Sequence, residues 1–149
     1  MKTLKIENGD LVISNGAYAV VEGSDKIVQD LGIAVATPYG VDRFHPKYGS
    51  VLPNYVGTPI DEGTKMLVEN EMTRIITNYQ AVQTTNMNSY IVQGKQSPYN
   101  QNELVQSIKE LQVVQDYDTL EVTAVVSTLS GNQAVVSATV SPNSVVTGN

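Results

Sequence analysis

Apolar and polar residues alternate in short runs over residues 1–22, and turn signals separate the runs. The dipeptides at 8–9 and 15–16 are both Asn-Gly, which supplies the positive backbone angles that a tight hairpin turn requires. Apolar residues two positions apart flank each dipeptide, as they do on one face of a strand. The pattern predicts short antiparallel strands in this part of the chain.

The apolar spacing becomes helical after Gly23. Ser24 is placed to cap a helix, and Asp25 favours its positive N-terminal end. The apolar positions of this predicted helix fall on one face: Ile27, Val28, Leu31, Ala34 and Val35. The helix should end near Thr37-Pro38, because the residue before a proline disfavours the helical conformation.

A second, longer helix is predicted over about residues 59–79. Thr58 is placed as its N-cap and Pro59 as its first helical residue, with acidic residues at 61–62 in the first turn. Arg74 then lies near the negative C-terminal end. The apolar stripe consists of Ile60, Leu67, Val68, Met72, Ile75, Ile76 and Tyr79.

The next segment is mostly polar. Residues 89–93 ("SYIVQ") could form a strand. Asn100 and Glu103 have the spacing of a capping box, which predicts a third, shorter helix. Its buried face would consist of Leu104, Val105 and Ile108.

The remainder of the chain predicts a C-terminal β-hairpin. Apolar residues recur at every second position at 119–126 and again at 133–140, on either side of a turn at 130–132, and the positions between them are mostly polar. The strand side chains on the apolar face are Leu120, Val122, Ala124, Val126, Ala134, Val136, Ala138 and Val140. Residues 141–149 are expected to be a short polar tail without a partner, and no internal repeat stands out.

These elements predict an α+β fold: a small antiparallel sheet with two main helices, a short third helix and a C-terminal β-hairpin. A chain of 149 residues is the size of one ordinary domain. We therefore expect a single domain over residues 1–140, followed by the tail at 141–149.

Composition excludes several classes of function. The net charge is -6 and the nine Lys and Arg residues are scattered, which argues against a nucleic-acid partner. Cysteine is absent, so disulfides and thiolate chemistry are excluded. Apolar runs are short, and we expect a soluble protein made in the cytoplasm, without membrane insertion or a cofactor. Charged residues make up only 16% of the chain, which suits a surface that is covered by neighbours.

His45 is the only histidine and hence the only candidate base of a nucleophilic site. It lies between Phe44 and Pro46, and the chain has no Gly-x-Ser-x-Gly sequence. A lone loop histidine is more often a surface or packing residue than a catalyst. One histidine without cysteine also argues against a zinc site.

Paired carboxylates leave a glycoside hydrolase as the competing hypothesis, because that chemistry needs two facing carboxyl groups. Glu69 and Glu71 are two positions apart on a predicted helix and should point to different faces. Asp116 and Asp118 are expected to lie in a solvent-exposed turn. The acidic residues at 61–62 are expected to stabilise the positive N-terminal end of the second helix.

The segment 38–57, "PYGVDRFHPKYGSVLPNYVG", is a long connection between the two main helices. Its glycines permit unusual backbone angles, its prolines stiffen it, and its aromatic rings can pack on each other. We interpret it as a rigid connector rather than a catalytic loop.

With the helix that follows it, the run from 29 to 57 resembles the baseplate wedge and sheath-initiator family of contractile-tailed phages, also called the lysozyme-like baseplate family. Residues 37–43 ("TPYGVDR") look like the family's Thr-Pro-x-Gly-x-Arg turn, and residues 46–49 ("PKYG") look like its Pro-x-Tyr/Phe-Gly step. The order of elements is similar from about residue 10 to residue 140. Many members carry Glu-Pro-Arg after the second helix, where this chain has Tyr79-Gln80-Ala81.

The resemblance implies a structural role in the virion rather than an enzymatic one. Such a subunit lies in the tail baseplate, in several copies arranged as a symmetric ring. Its expected partners are other baseplate wedge proteins, tail tube proteins and the tail sheath protein. Its closing strands would join strands of sheath subunits and so template the first sheath ring.

Two sets of site residues follow from the resemblance. The loop-structuring or partner-contact residues are Pro38, Gly40, Arg43, Pro46, Tyr48 and Gly49. The residues expected to pair with a sheath strand are Ala134, Val136, Ala138 and Val140, on a strand predicted to have an unpaired edge. Arg43 is expected to fix the loop by hydrogen bonds to carbonyl groups or a carboxylate, which would be Asp42 or an acidic residue of a neighbouring subunit.

Overall fold

A four-stranded antiparallel sheet carries two helices on one face and is preceded by a cluster of very short strands. The computed structural model describes residues 1–55, 59–141 and 143–148. The elements in chain order are β1 (Thr3–Leu4), β2 (Ile6–Glu7), β3 (Asp10–Leu11), β4 (Ile13–Ser14), β5 (Ala17–Tyr18), β6 (Val20–Val21), α1 (Ser24–Ala36), the 3₁₀ helix η1 (Leu52–Tyr55), α2 (Glu62–Val92), β7 (Val105–Asp116), β8 (Thr119–Thr128), β9 (Gln133–Ser141) and β10 (Ser144–Gly148). The predicted α+β class is confirmed.

The six short strands form three antiparallel pairs, β2 with β3, β4 with β5, and β1 with β6. Asn8-Gly9 and Asn15-Gly16 turn the first two pairs with positive φ angles, as predicted. Backbone hydrogen bonds link Lys5, Val12 and Ala19 in a ring at evenly spaced positions. The ring relates the pairs to one another, so the segment contains a regularity that the sequence pattern did not reveal.

Helix α1 ends at Ala36 as predicted, but it begins differently. Gly23 is its N-cap, at φ 65°, and Ser24 is its first residue rather than its cap. On the opposite side from the core, the Gln29 side-chain amide donates to Leu4 O at 2.9 Å and accepts from Ile6 N at 2.8 Å. Gln29 therefore ties the short strands to α1.

Helix α2 differs from its prediction at both ends. The predicted cap Thr58 lies outside the described residues, Pro59 is not helical, and the cap is Asp61, whose carboxylate accepts from Thr64 N at 2.8 Å. The helix continues to Val92, so residues 89–93 are not a strand. At 31 residues its length is about 46 Å.

The two helices cover one face of the sheet, α1 over β9 and β10 and α2 over β7 and β8. All eight apolar-face residues predicted on β8 and β9 are buried there. They pack against the apolar faces of the helices, which include Ile27, Leu31, Met72 and Ile76. Burial of alternate strand residues against two amphipathic helices is the main source of stability.

The predicted third helix is wrong, because this part of the chain is strand β7. Strand β7 shifts register between Val105 and Ser107 and again between Ile108 and Glu110. These bulges space the inward residues Val105, Ile108 and Leu111 three apart, which imitates a helical pattern.

Glu103 accepts the backbone hydrogen bond from Asn100 that a capping box predicts, although no helix follows. Its carboxylate accepts from Asn100 N at 3.2 Å and from Gly23 N at 3.3 Å, and it pairs with the α-ammonium group of Met1 at 2.6 Å. Burial raises the pKa of this carboxyl group, but these hydrogen bonds together leave it below its usual range. The Glu103 carboxylate therefore holds three separate segments together.

The C-terminal tail is not unpaired. Residues 144–148 form β10, which pairs antiparallel with β9 from Ser144 opposite Ser141 to Gly148 opposite Ser137. The order of the sheet is β10-β9-β8-β7. The expectation of a tail separate from the domain is therefore wrong, since β10 completes the sheet.

Candidate assembly surfaces

The loop between α1 and η1 folds back on itself and closes through backbone contacts. Pro38 and Ser50 form a parallel β-bridge. Tyr39 N donates to Ser50 O at 2.8 Å, and Ser50 N donates to Thr37 O at 2.7 Å. These bonds bring the two ends of the loop side by side.

Gly49 is required at the closure point. It is buried and has a φ angle of 97°, and a Cβ atom there would lie 2.7 Å from the carbonyl oxygens of Thr37 and Pro38. Neither oxygen can move freely, because both belong to backbone that is already hydrogen-bonded or bridged. Any side chain at this position would force the loop open.

Arg74 and Glu71 of α2 clamp the closed loop. The guanidinium group of Arg74 donates to Gly49 O at 2.7 Å and makes two bonds to the Glu71 carboxylate, at 2.8 and 2.7 Å. Glu71 in turn accepts from Val51 N at 2.8 Å. The Arg74 guanidinium also lies 4.9 Å from the centre of the Tyr39 ring. One ion pair therefore fixes the loop at three points.

Glu71 and Arg74 each stabilise the charged form of the other. Burial raises the pKa of Glu71, but hydrogen bonds from Arg74 and Val51 N outweigh burial and hold the pKa below its usual range. The hydrogen bond to Glu71 is the main cause that raises the pKa of Arg74. Both groups are thus charged at neutral pH. Only 8% of the Glu71 side chain is exposed, against 36% of Arg74.

The prediction that Arg43 braces the loop within its own chain is wrong, while its contact with an acidic residue of a neighbouring subunit stays a prediction. Arg43 is exposed, and within the described residues it makes no hydrogen bond or ion pair. A guanidinium group does brace the loop, but it belongs to Arg74. Asp42 is not its partner either, because the Asp42 carboxylate caps the turn by accepting from Phe44 N at 2.8 Å.

His45 has a partner that the sequence did not reveal. Its Nδ1 lies 2.9 Å from Asp42 Oδ2, and Asp42 is three residues earlier on the same turn. The hydrogen bond from His45 is the main cause that lowers the pKa of Asp42. The histidine side chain is mostly exposed, so this pair organises a surface turn.

The other predicted loop residues do lie together in this structure. Gly40 has a φ angle of 76° and donates to Tyr48 O at 3.1 Å, and the Tyr48 ring packs against the core. Pro46 O lies 3.7 Å from where a Cβ atom on Gly40 would be. The contact of these residues with a partner stays a prediction.

The four residues predicted to pair with a sheath strand divide into two groups. Ala138 and Val140 lie opposite Thr147 and Val145 of β10, so that part of the β9 edge is already paired. The prediction of an open edge is wrong for these two residues. Ala134 and Val136 lie beyond the last described residue of β10, and β8 is their only strand partner in the described residues.

The carboxylates considered for glycan hydrolysis have separate surroundings. Glu71 is paired with Arg74, Asp61 caps α2, and Asp116 and Asp118 lie at the turn between β7 and β8. Within the described ranges no cluster of three His, Cys, Asp or Glu side chains could hold a metal ion. No helix in the same ranges is both long and apolar enough to cross a bilayer.

Comparisons with known proteins give no relative for this chain. No protein-family model matches it, and neither a curated protein nor a solved structure matches it.

Proposed function

We propose that this protein is a structural subunit of a contractile phage tail baseplate. In this proposal it binds wedge and tube proteins and templates the first sheath ring by strand addition to its C-terminal hairpin. The sequence resemblance of residues 29–57 suggests the role. The observation that carries it in the structure is the open, uncharged edge of the hairpin formed by β9 and β10.

The edge is built in a way that favours strand addition. Strand β10 has the sequence SVVTG, with no charged residue and no proline, and in the described residues it pairs only with β9. Natural sheets usually protect such an edge with lysine, proline or a bulge. Beyond β10, the β9 segment from 133 to 136 offers further backbone on the same side. An extended segment of a sheath subunit could pair along both.

The other open edge of the sheet contrasts with this one. Strand β7 carries two bulges and contains both Lys109 and Glu110. At its start, the Gln83 side chain accepts from Val105 N at 3.0 Å, and Gln80 donates to Gln106 O at 2.9 Å. The β7 edge is therefore partly capped by α2, which favours the hairpin as the site of addition.

The competing hypothesis, a glycan-cleaving enzyme, lacks a supporting observation. A glycosidase needs one carboxylic acid with a raised pKa. Every carboxyl group with a resolved pKa shift is held below its usual range, namely Asp42, Asp61, Glu71 and Glu103. We therefore propose an assembly role rather than catalysis.

The test is sheath nucleation with an edge variant. Val146 lies in the middle of β10 and is exposed. Val146→Lys places a charge on the edge strand and should block sheath assembly when the chain is co-expressed with the tube and sheath proteins of its own tail. Val146→Thr keeps a β-branched residue without charge and is the matched control, which should assemble normally.

Two results would contradict the proposal. One is normal sheath assembly by Val146→Lys, because the edge would then not be used. The other is lysis of peptidoglycan by the pure protein at catalytic concentrations in a zymogram, which would favour the hydrolase.

A further inference from the structure

Two surface features of this chain are complementary to each other. The first is the cationic turn, which we define as Val41, Arg43, Phe44 and Lys47. The second is the acidic tip, which we define as Val114, Asp116, Tyr117 and Asp118. Phe44 is 91% exposed and Tyr117 is 92% exposed, the two highest values among the large apolar side chains of the described residues.

The cationic turn is locally positive in a chain of net charge -6. Its only acidic neighbour in the segment, Asp42, is engaged by His45 Nδ1 and by the backbone N–H groups of Phe44 and His45. Arg43 and Lys47 are both exposed, and neither makes a hydrogen bond or ion pair with any described residue. The turn therefore presents an exposed aromatic ring between two positively charged side chains that have no ion-pair partner in the described residues.

The acidic tip is negatively charged where the cationic turn is positive, and like the turn it contains one aromatic residue and one valine. Asp116 pairs with Thr119 at the end of the hairpin, which leaves Tyr117 and Asp118 as its two turn residues. Asp116 and Asp118 are exposed and make no ion pair within the described chain. Val114 is also exposed and lies two positions before Asp116 on β7. Each feature thus combines one aromatic residue, one valine and two like charges.

Tyr117 is also poorly suited to its backbone. Its φ angle is 53°, a left-handed conformation that costs a tyrosine more than an asparagine or a glycine. Neither burial nor a hydrogen bond of its hydroxyl group compensates for this within the described residues.

We propose that the acidic tip of one copy of this chain docks on the cationic turn of a second copy. The contact would bury both aromatic rings and place the Arg43 or Lys47 cation near the Tyr117 ring and its two aspartates. A second copy is the favoured occupant because charge and apolar composition match within one sequence. If each copy binds the next one through this contact, the copies can form a closed ring. If two copies each insert their acidic tip into the cationic turn of the other, they form a two-fold dimer. The contact goes beyond the proposed baseplate role, since it is a property of the purified chain.

Sedimentation velocity of the purified full chain tests the contact. Because each surface consists of only four residues, we expect weak binding, with a dissociation constant on the order of 100 µM at low salt. The double variant Arg43→Glu/Lys47→Glu has an acidic turn and an acidic tip, and Asp116→Lys/Asp118→Lys has a basic turn and a basic tip. Each should associate at least tenfold more weakly than the wild type, and an equimolar mixture of the two should recover association. All four positions are exposed, and circular dichroism verifies that each variant is folded.

Tyr117→Asn provides a second test that does not reverse charge. Asparagine tolerates the left-handed conformation, so this variant should unfold at a higher urea concentration while associating at least tenfold more weakly. A monomeric wild type at about 1 mM in low salt would overturn the proposal. So would unchanged association of either charge-reversed variant, failure of their mixture to associate, or unchanged association of Tyr117→Asn.

Discussion

The loop that joins α1 to η1 and the strand β10 are close in the fold but are held in opposite ways. The 3₁₀ helix η1 lies against both α1 and β10. The loop is fixed from several directions by its own backbone, by Gly49 and by the Arg74–Glu71 pair. Strand β10 has a strand partner on one side only in the described chain. The loop is held by many contacts, whereas β10 has a second side on which no described strand pairs.

This difference suits the two regions to the different roles that we propose for them. A surface that must present fixed side chains needs a conformation determined by many contacts, because each ordered residue costs conformational entropy. A strand that must accept another strand needs an open edge instead. The loop therefore suits a rigid contact between neighbours, and the C-terminal hairpin suits templating.

The largest effect is expected from Gly49→Ala. The added Cβ would lie 2.7 Å from two backbone oxygens at a φ of 97°, which should lower the free energy of unfolding by about 3 kcal/mol. The control is Gly131→Ala, where φ is 87° but nothing lies within 4 Å, and about 1 kcal/mol is expected. Urea denaturation measures both, and equal losses would show that the close approach is not rigid.

Arg74→Ala comes next. It leaves the buried Glu71 carboxylate without its cation and frees Gly49 O, and we expect a loss of about 2 kcal/mol. This is less than for a fully buried pair, because 36% of the Arg74 side chain is exposed. Arg43→Ala is the matched control and should change the stability by less than about 0.5 kcal/mol. A larger effect of Arg43 than of Arg74 in urea denaturation would restore the original prediction for Arg43.

Strand β10 should open more readily than the strands it completes. We expect its amide hydrogens to exchange through an opening free energy about 2 kcal/mol below that of β8, which has a strand partner on both sides. Hydrogen exchange followed by NMR measures this difference directly. Equal protection of β8 and β10 would mean that the C-terminal hairpin is as fixed as the core.

The smallest effect concerns pH. Because Glu71 has a lowered pKa when folded, its contribution is present above the unfolded pKa near 4.5 and is lost as the pH falls through the folded value. Arg74→Ala removes the hydrogen bond that contributes most to lowering the pKa of Glu71, so the stability of this variant should depend less on pH in the acid range. The difference in stability between wild type and Arg74→Ala should therefore shrink as the pH falls from 7 to 3. A constant difference in a pH series of urea midpoints would show that the pair is not ionised as described.

Strands β8 and β9 were predictable from the sequence because every second residue is apolar and the face that these residues form is buried. Strand β7 was not, because its bulges break the alternation and mimic a helical spacing. The end of α2 was missed because residues 80–92 contain neither a charge nor a clear stop signal. Strand β10 was missed because five residues with two valines give little periodic signal.

The loop clamp could not be assigned from the sequence alone. Arg43 was the expected brace because it lies in the loop and a guanidinium group can bind several acceptors at once. The residue that serves, Arg74, is 25 positions from Gly49 and reaches it only once α2 has packed beside the loop. Contacts of this kind depend on tertiary packing, which local pattern does not encode.

A reconstruction of the assembled tail end tests the central claim most directly. We predict a backbone strand of a sheath subunit hydrogen-bonded along β10 or along residues 133–136 of β9, with the loop unchanged and Arg74 still bound to Gly49 O. A tail end in which this chain is present but its C-terminal hairpin pairs with no other chain would contradict the account.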